Sequence, residues 1–194
     1  MKWQTGDFVM RARKRIPIRL TAVFVLILLI GICAGCSADD AATAVQSQGR
    51  DYGETYNLSE GDTMSTAFFD MTVNSATLQS EIDGYVPTND TDRFLVVNIT
   101  VKNTFDSDNP IPMSDADFQL SYDDADENDA VYPESAFAED QLPASYEIAK
   151  GDSTTGNLIY VVPDGAADFK IYYYDLWDDD FEGNDYWLPF SVTA

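Results

Sequence analysis

The chain has 194 residues and a formal net charge of −23, from 34 acidic and 11 basic residues. Six of the bases and one of the acids precede Cys36, so the remainder carries five bases against 33 acids, a net of −28. Such a surface repels phosphate backbones and excludes nucleic acid as a partner, while the absence of histidine removes the commonest general base and the commonest zinc ligand.

The first 19 residues are basic, and Leu20 to Ile32 is an apolar run of 13 residues. That is short of the ~20 residues of a relaxed membrane-spanning helix. Ala34-Gly35-Cys36 follows, completing the three-part layout of an export signal. The small pair before Cys36 resembles the lipobox of bacterial lipoproteins, in which the cysteine is diacylated and becomes the new N-terminus; Cys33 stands where that motif usually has Leu. On this reading residues 1–35 are the signal peptide and Cys36 is the lipidation site. An uncleaved signal anchor is the alternative. Both put the rest of the chain on the outer face of the cytoplasmic membrane. With Cys33 in the apolar run and Cys36 acylated, no disulfide is available, and the domain must rest on its apolar core.

Residues 36–55 are small and polar and predict a flexible tether; residues 56–194 predict the folded domain. Phe69, Met71 and Val73 alternate with polar residues, giving a strand over about 67–78. Arg93 to Thr104 is the strongest strand: Leu95, Val97, Ile99 and Val101 share one face, and Asn98, Thr100 and Lys102 the other. It is expected to be central. Ile111-Pro112-Met113 suits only an edge, because proline cannot donate to a ladder. Phe118, Leu120 and Tyr122 predict a further strand, and Ala130 to Pro133 a brief extended piece. The section from there to Ile148 is weakly patterned. Thr154 to Val162 places Leu158, Tyr160 and Val162 on one face; Phe169, Ile171 and Tyr173 follow, and the last strand is expected over 186–192. No helix of ten or more residues is expected. Short strands spaced by Gly, Pro, Asn and Asp turns predict an all-β, antiparallel sandwich.

Several of these stretches resemble an immunoglobulin-like domain of unknown function found in Gram-positive lipoproteins. They are Phe94 to Asn103, Asp117 to Leu120, Lys150-Gly151-Asp152 with Thr155 to Leu158, and Val161 to Pro163. That family is related in fold to a secreted mycobacterial immunogenic antigen, and some members carry the label telomeric repeat-binding factor, which this acidity makes physically implausible. The resemblance spans about 56–190. It implies an immunoglobulin-like β-sandwich and brings no catalytic or ligand residues.

Two acidic clusters invite a metal. Asp124, Asp126 and Asn128 have the alternating spacing of a calcium loop, and Asp178, Asp180 and Glu182 lie in a second acid-rich stretch, 175–185, expected to be a hairpin loop. Neither completes an EF-hand, since Asp129 holds the glycine position and Ser135 and Pro189 stand where the closing Glu belongs. Solvation of an acidic loop is the simpler account, and calcium the alternative. Tyr172, Tyr174, Trp177 and Trp187 form an aromatic group that could stack on a glycan or anchor an envelope protein, although cross-strand packing is the commoner role of such rings. A nucleophile would need a lysine as its base, and Lys102, Lys150 and Lys170 sit at outward strand or turn positions. Paired carboxylates occur without pocket-forming insertions. The expectation is a lipid-anchored binding or accessory module, with no enzyme activity and no cofactor unless calcium; a calcium-responsive adhesion module is the alternative.

Overall fold

The computed structural model describes residues 50–123 and 130–192. The signal segment, Cys36, most of the tether, and Asp124, Asp126 and Asn128 lie outside the described residues. Three long strands make the frame: β3 (Phe69–Gln79), β4 (Asp92–Asn103) and β8 (Ser153–Pro163), with β2 (Met64–Ser65) added at the edge, in the order β2-β3-β4-β8. The facing sheet has the order β1-β10-β9-β6, from β1 (Thr55–Asn57), β10 (Glu182–Pro189), β9 (Lys170–Leu176) and β6 (Gln119–Ser121). In it β1 runs parallel to β10 and the other pairs are antiparallel. A small ladder of β5 (Ile111–Met113) on β7 (Tyr146–Ile148) keeps Pro112 at an edge.

Alternation explains the interior. On β4 the expected central strand is paired on both sides, and Leu95, Val97, Ile99 and Val101 are each 0% exposed. Leu158, Tyr160 and Val162 of β8 join them, and Ile171, Tyr173, Tyr186 and Leu188 supply the opposite wall. The Tyr160 hydroxyl donates to the Phe118 carbonyl at 2.9 Å, so the one polar atom of that large side chain is satisfied inside the core. The polar face of β4 is also bonded: the Asn74 amide donates to Asn98 at 2.8 Å and to Thr100 at 2.9 Å, and the Asn98 amide donates to Asn157 at 2.7 Å. The result is the two-sheet architecture of immunoglobulin-like sandwiches.

Three elements differ from the expectation. A bulge at Asn74 between Val73 and Ser75 reverses the parity of β3, so Phe69 and Met71 face in before it and Ala76 after it. The last strand starts at Glu182 and ends at Pro189, not over 186–192, because the β9–β10 ladder runs through the acid cluster. And the weakly patterned section has a definite task. Leu142 donates to the Asn157 carbonyl at 2.9 Å and Glu134 to the Ile159 carbonyl at 2.7 Å, which covers the outer edge of β8 and blocks edge-to-edge pairing there.

Candidate binding cleft

The acid cluster is a hairpin whose turn is shorter than expected: Asp178, Asp179 and Asp180 lie in the turn, while Asp175, Glu182 and Asp185 belong to the strands. β9 continues to Leu176 and β10 begins at Glu182, leaving 177–181 as the turn, where Trp177 donates to the Phe181 carbonyl at 3.0 Å and Asp180 to the Trp177 carbonyl at 2.9 Å. Asp180 adopts φ 60°, a conformation that Asp tolerates better than most residues. What permits an acid inside the ladder is a second bulge: Glu182 pairs with Leu176 and Asp185 with Tyr174, so Gly183 and Asn184 together oppose Asp175.

Asp175 is 1% exposed and is held by hydrogen bonds. Its carboxylate accepts the Ala67 N–H at 3.2 Å, from the segment leading into β3, and the Tyr186 hydroxyl at 3.1 Å. Burial pushes the Asp175 carboxyl above its ordinary value, against the pull of those hydrogen bonds. Asn184, 4% exposed, accepts the Glu54 N–H at 3.1 Å and fastens the incoming chain to the same point. Gly183 is required by space: a Cβ there would lie 2.7 Å from the Asp175 Cβ. Gly183→Ala is therefore expected to cost about 1–3 kcal/mol by overpacking, read as a lowered urea midpoint at unchanged slope.

Beyond this knot the hairpin tip overhangs a cleft of about 620 Å3. Its aromatic wall is Trp177, with ring centroids 4.7 Å from Phe68 and 6.0 Å from Phe105. Phe105 is aimed by Asn103, 1% exposed, which accepts the Phe105 N–H at 2.9 Å and donates to the Ile148 carbonyl at 2.8 Å. The Trp177 Nε1 is buried and has no hydrogen-bond partner among the described residues. Across the cleft lies a single 3-10 turn, Asp115–Asp117, capped by Ser114. The Asp117 carboxylate accepts the Ser114 N–H at 2.7 Å while the Ser114 hydroxyl accepts from Ala116 at 3.2 Å. Burial raises the Asp117 carboxyl, and the neighbouring Asp115 charge adds to it. Tyr174, Asp178 and Asp179 complete the rim.

Arg50 reaches this rim from the tether. Its guanidinium carbon sits 4.1 Å from the Phe181 ring centroid and 5.0 Å from that of Trp177. Its two terminal nitrogens meet the Asp179 carboxylate at 2.9 and 3.1 Å. Hydrogen bonding from Arg50 holds the Asp179 carboxyl below its ordinary range.

The four candidate aromatics divide between two places. Tyr174 and Trp177 line the cleft. Tyr172, 7% exposed, is the register partner of Trp187 with ring centroids 4.5 Å apart, and its hydroxyl donates to Asp185 at 3.3 Å. That pair is cross-strand packing. Asp178, Asp180 and Glu182 are exposed at the tip, and among the described residues no three acids, cysteines or histidines gather as metal ligands. Phe68, Phe105, Asp117 and Arg50 were not candidates from sequence. Only Asp117 had a local signal, the Ser-x-x-Asp spacing of a capping box.

The profile of a family described as "Domain of unknown function (DUF4352)" matches residues 58–182. Among curated proteins none matches. Among solved structures, a "putative lipoprotein (ycdA)" from Bacillus subtilis superposes with a TM-score of 0.52 at 20% identity, over 68% of this chain and 39% of that one. The chain thus spans well under half the length of that relative. The yjhA protein of Bacillus subtilis gives 0.46 at 20% identity over 69% and 98% of the two chains. An uncharacterized beta-sandwich protein from Clostridium difficile gives 0.41 at 13% over 72% and 96%. The profile match runs from β2 through β9 to the first residue of β10, leaving out β1 and Arg50, and by it this chain belongs to the DUF4352 family.

Proposed function

We propose that this chain is a lipid-anchored binding module on the outer face of the cytoplasmic membrane, and that its ligand sits in the cleft under the β9–β10 hairpin. The observation that carries this reading is the Trp177 side chain, whose ring walls the cleft while its buried Nε1 lacks a partner among the described residues. A buried donor without an acceptor costs free energy that a ligand oxygen would recover. The export-signal pattern ahead of Cys36 supports the location. So does likeness in fold to a protein described as a "putative lipoprotein". No catalytic step is assigned to it.

The test uses the full chain purified in detergent, immobilised, and exposed to solubilised cell-envelope material. Trp177→Ala is expected to abolish specific retention and Trp187→Ala to preserve it, because Trp187 packs on Tyr172 away from the cleft. Equal retention by the two variants would refute the cleft. Mass spectrometry of the membrane-extracted protein is expected to show a mature chain that begins at Cys36 and carries the mass of a diacyl group; a chain that retains residues 1–35 would favour the uncleaved anchor. The calcium-responsive alternative rests on the acidic loops alone, and a melting temperature raised by millimolar calcium but not magnesium would be its signature.

A further inference from the structure

We infer that Arg50 occupies a cation subsite of this cleft as an intramolecular stand-in, and that the ligand is a peptide segment whose own arginine takes its place. The inference rests on the cleft being the binding site. Arg50 has the surroundings of a recognised arginine: two aromatic faces, Phe181 at 4.1 Å and Trp177 at 5.0 Å, and a two-pronged carboxylate contact with Asp179. That geometry suits a planar guanidinium, and a lysine would lose both the fork and the stacking. The clamp shields its occupant: the Arg50 side chain is 16% exposed, against 56% for Asp179.

The position of Arg50 makes it displaceable. It lies ahead of the first strand, and among the described residues the nearest backbone attachment of its segment is the Gly53 N–H to the Gly183 carbonyl at 3.1 Å. The side chain can leave without any strand leaving its sheet. Charge favours an outside competitor, since 33 acids against five bases follow the signal segment, and Asp117, Asp178 and Asp179 line the cleft itself. Withdrawal of Arg50 then frees the Trp177 ring face for the entering arginine to stack on. An intramolecular occupant competes at an effective concentration in the millimolar range, so the tether sets a threshold that a weak or neutral ligand does not pass.

The probes are a blocked Ala-Arg-Leu tripeptide and its citrulline analogue, which keeps the shape and loses the charge, titrated by calorimetry against the full chain in detergent. The arginine peptide is expected to bind at least about tenfold more tightly than the citrulline peptide, a difference of about 1.4 kcal/mol. Arg50→Gln is expected to raise its affinity about tenfold by removing the competitor, and Asp179→Asn to lower it by a similar factor. A second readout follows the latch directly. Trypsin is expected to cut after Arg50 slowly in the native chain and several-fold faster in Asp179→Asn, with cleavage at Lys102 unchanged. Equal binding of the two peptides, or an affinity indifferent to Arg50→Gln, would overturn the inference. If envelope retention still depends on Trp177 in that case, the cleft reading survives and only its cationic ligand is lost.

Discussion

Phe69→Ala is expected to lower the unfolding free energy by about 3–5 kcal/mol. Phe69 is 0% exposed at the first position of β3, with its ring centroid 5.7 Å from Phe118 and 4.8 Å from Tyr173. Tyr173 belongs to β9, so this ring joins the two sheets, and deleting it opens a void that neither sheet can close without moving the other. A domain held by about 5–15 kcal/mol in total has little margin for that. The comparison is Tyr85→Ala, at a residue 56% exposed, where the cost should stay within about 0.5 kcal/mol. Urea unfolding of both variants measures it. A Phe69→Ala midpoint equal to that of Tyr85→Ala would mean that the sheets do not share this core.

Most of the frame was legible because a half-buried strand writes its burial at period two. β4 and β8 each present one apolar and one polar face, and their inward residues were identified without any knowledge of their partners. The failures have a common cause, which is that bulges change parity and the partner of a polar residue is invisible from sequence. Asp175, Asn184 and Asp185 look like loop residues until Gly183 and Asn184 are seen to oppose Asp175 across a bulge. The same limit split the aromatic group. Nothing local distinguishes Trp187, register partner of Tyr172, from Trp177, which stands one residue past the end of β9 and so faces Phe68 and Phe105 from distant loops. Arg50 was read only as part of a polar tether, because its task depends on Phe181 and Asp179 at the far end of the chain.

The buried acid makes the sharper experiment, because two substitutions at one position separate its charge from its hydrogen bonds. Asp175→Ala leaves the Ala67 N–H and the Tyr186 hydroxyl without their acceptor at a site 1% exposed. At about 1–3 kcal/mol for each of the two orphaned groups, the loss should be about 2–6 kcal/mol. Asp175→Asn keeps an oxygen for Ala67, and the Tyr186 hydroxyl can rotate to accept from the new amide. Its cost should be small and should depend on pH in a defined sense. The native Asp175 carboxyl is raised by burial above its ordinary 3.8, so the folded state holds that proton more tightly than the unfolded state. Its contribution is fully present below the unfolded value and is lost as pH rises through the raised one. The asparagine, which does not titrate, should therefore gain on the native protein as pH rises from below the ordinary carboxyl value through the raised one. A stability gap constant over that range, or one moving the other way, would show that the hydrogen bonds outweigh burial and that Asp175 is ionised without penalty. Binding distinguishes the variants as well. Trp177 and Asp179 extend from the ladder that Asp175 locks to the β3 entry, so the Ala variant should lose the cleft's ligand with its stability, and the Asn variant should keep both.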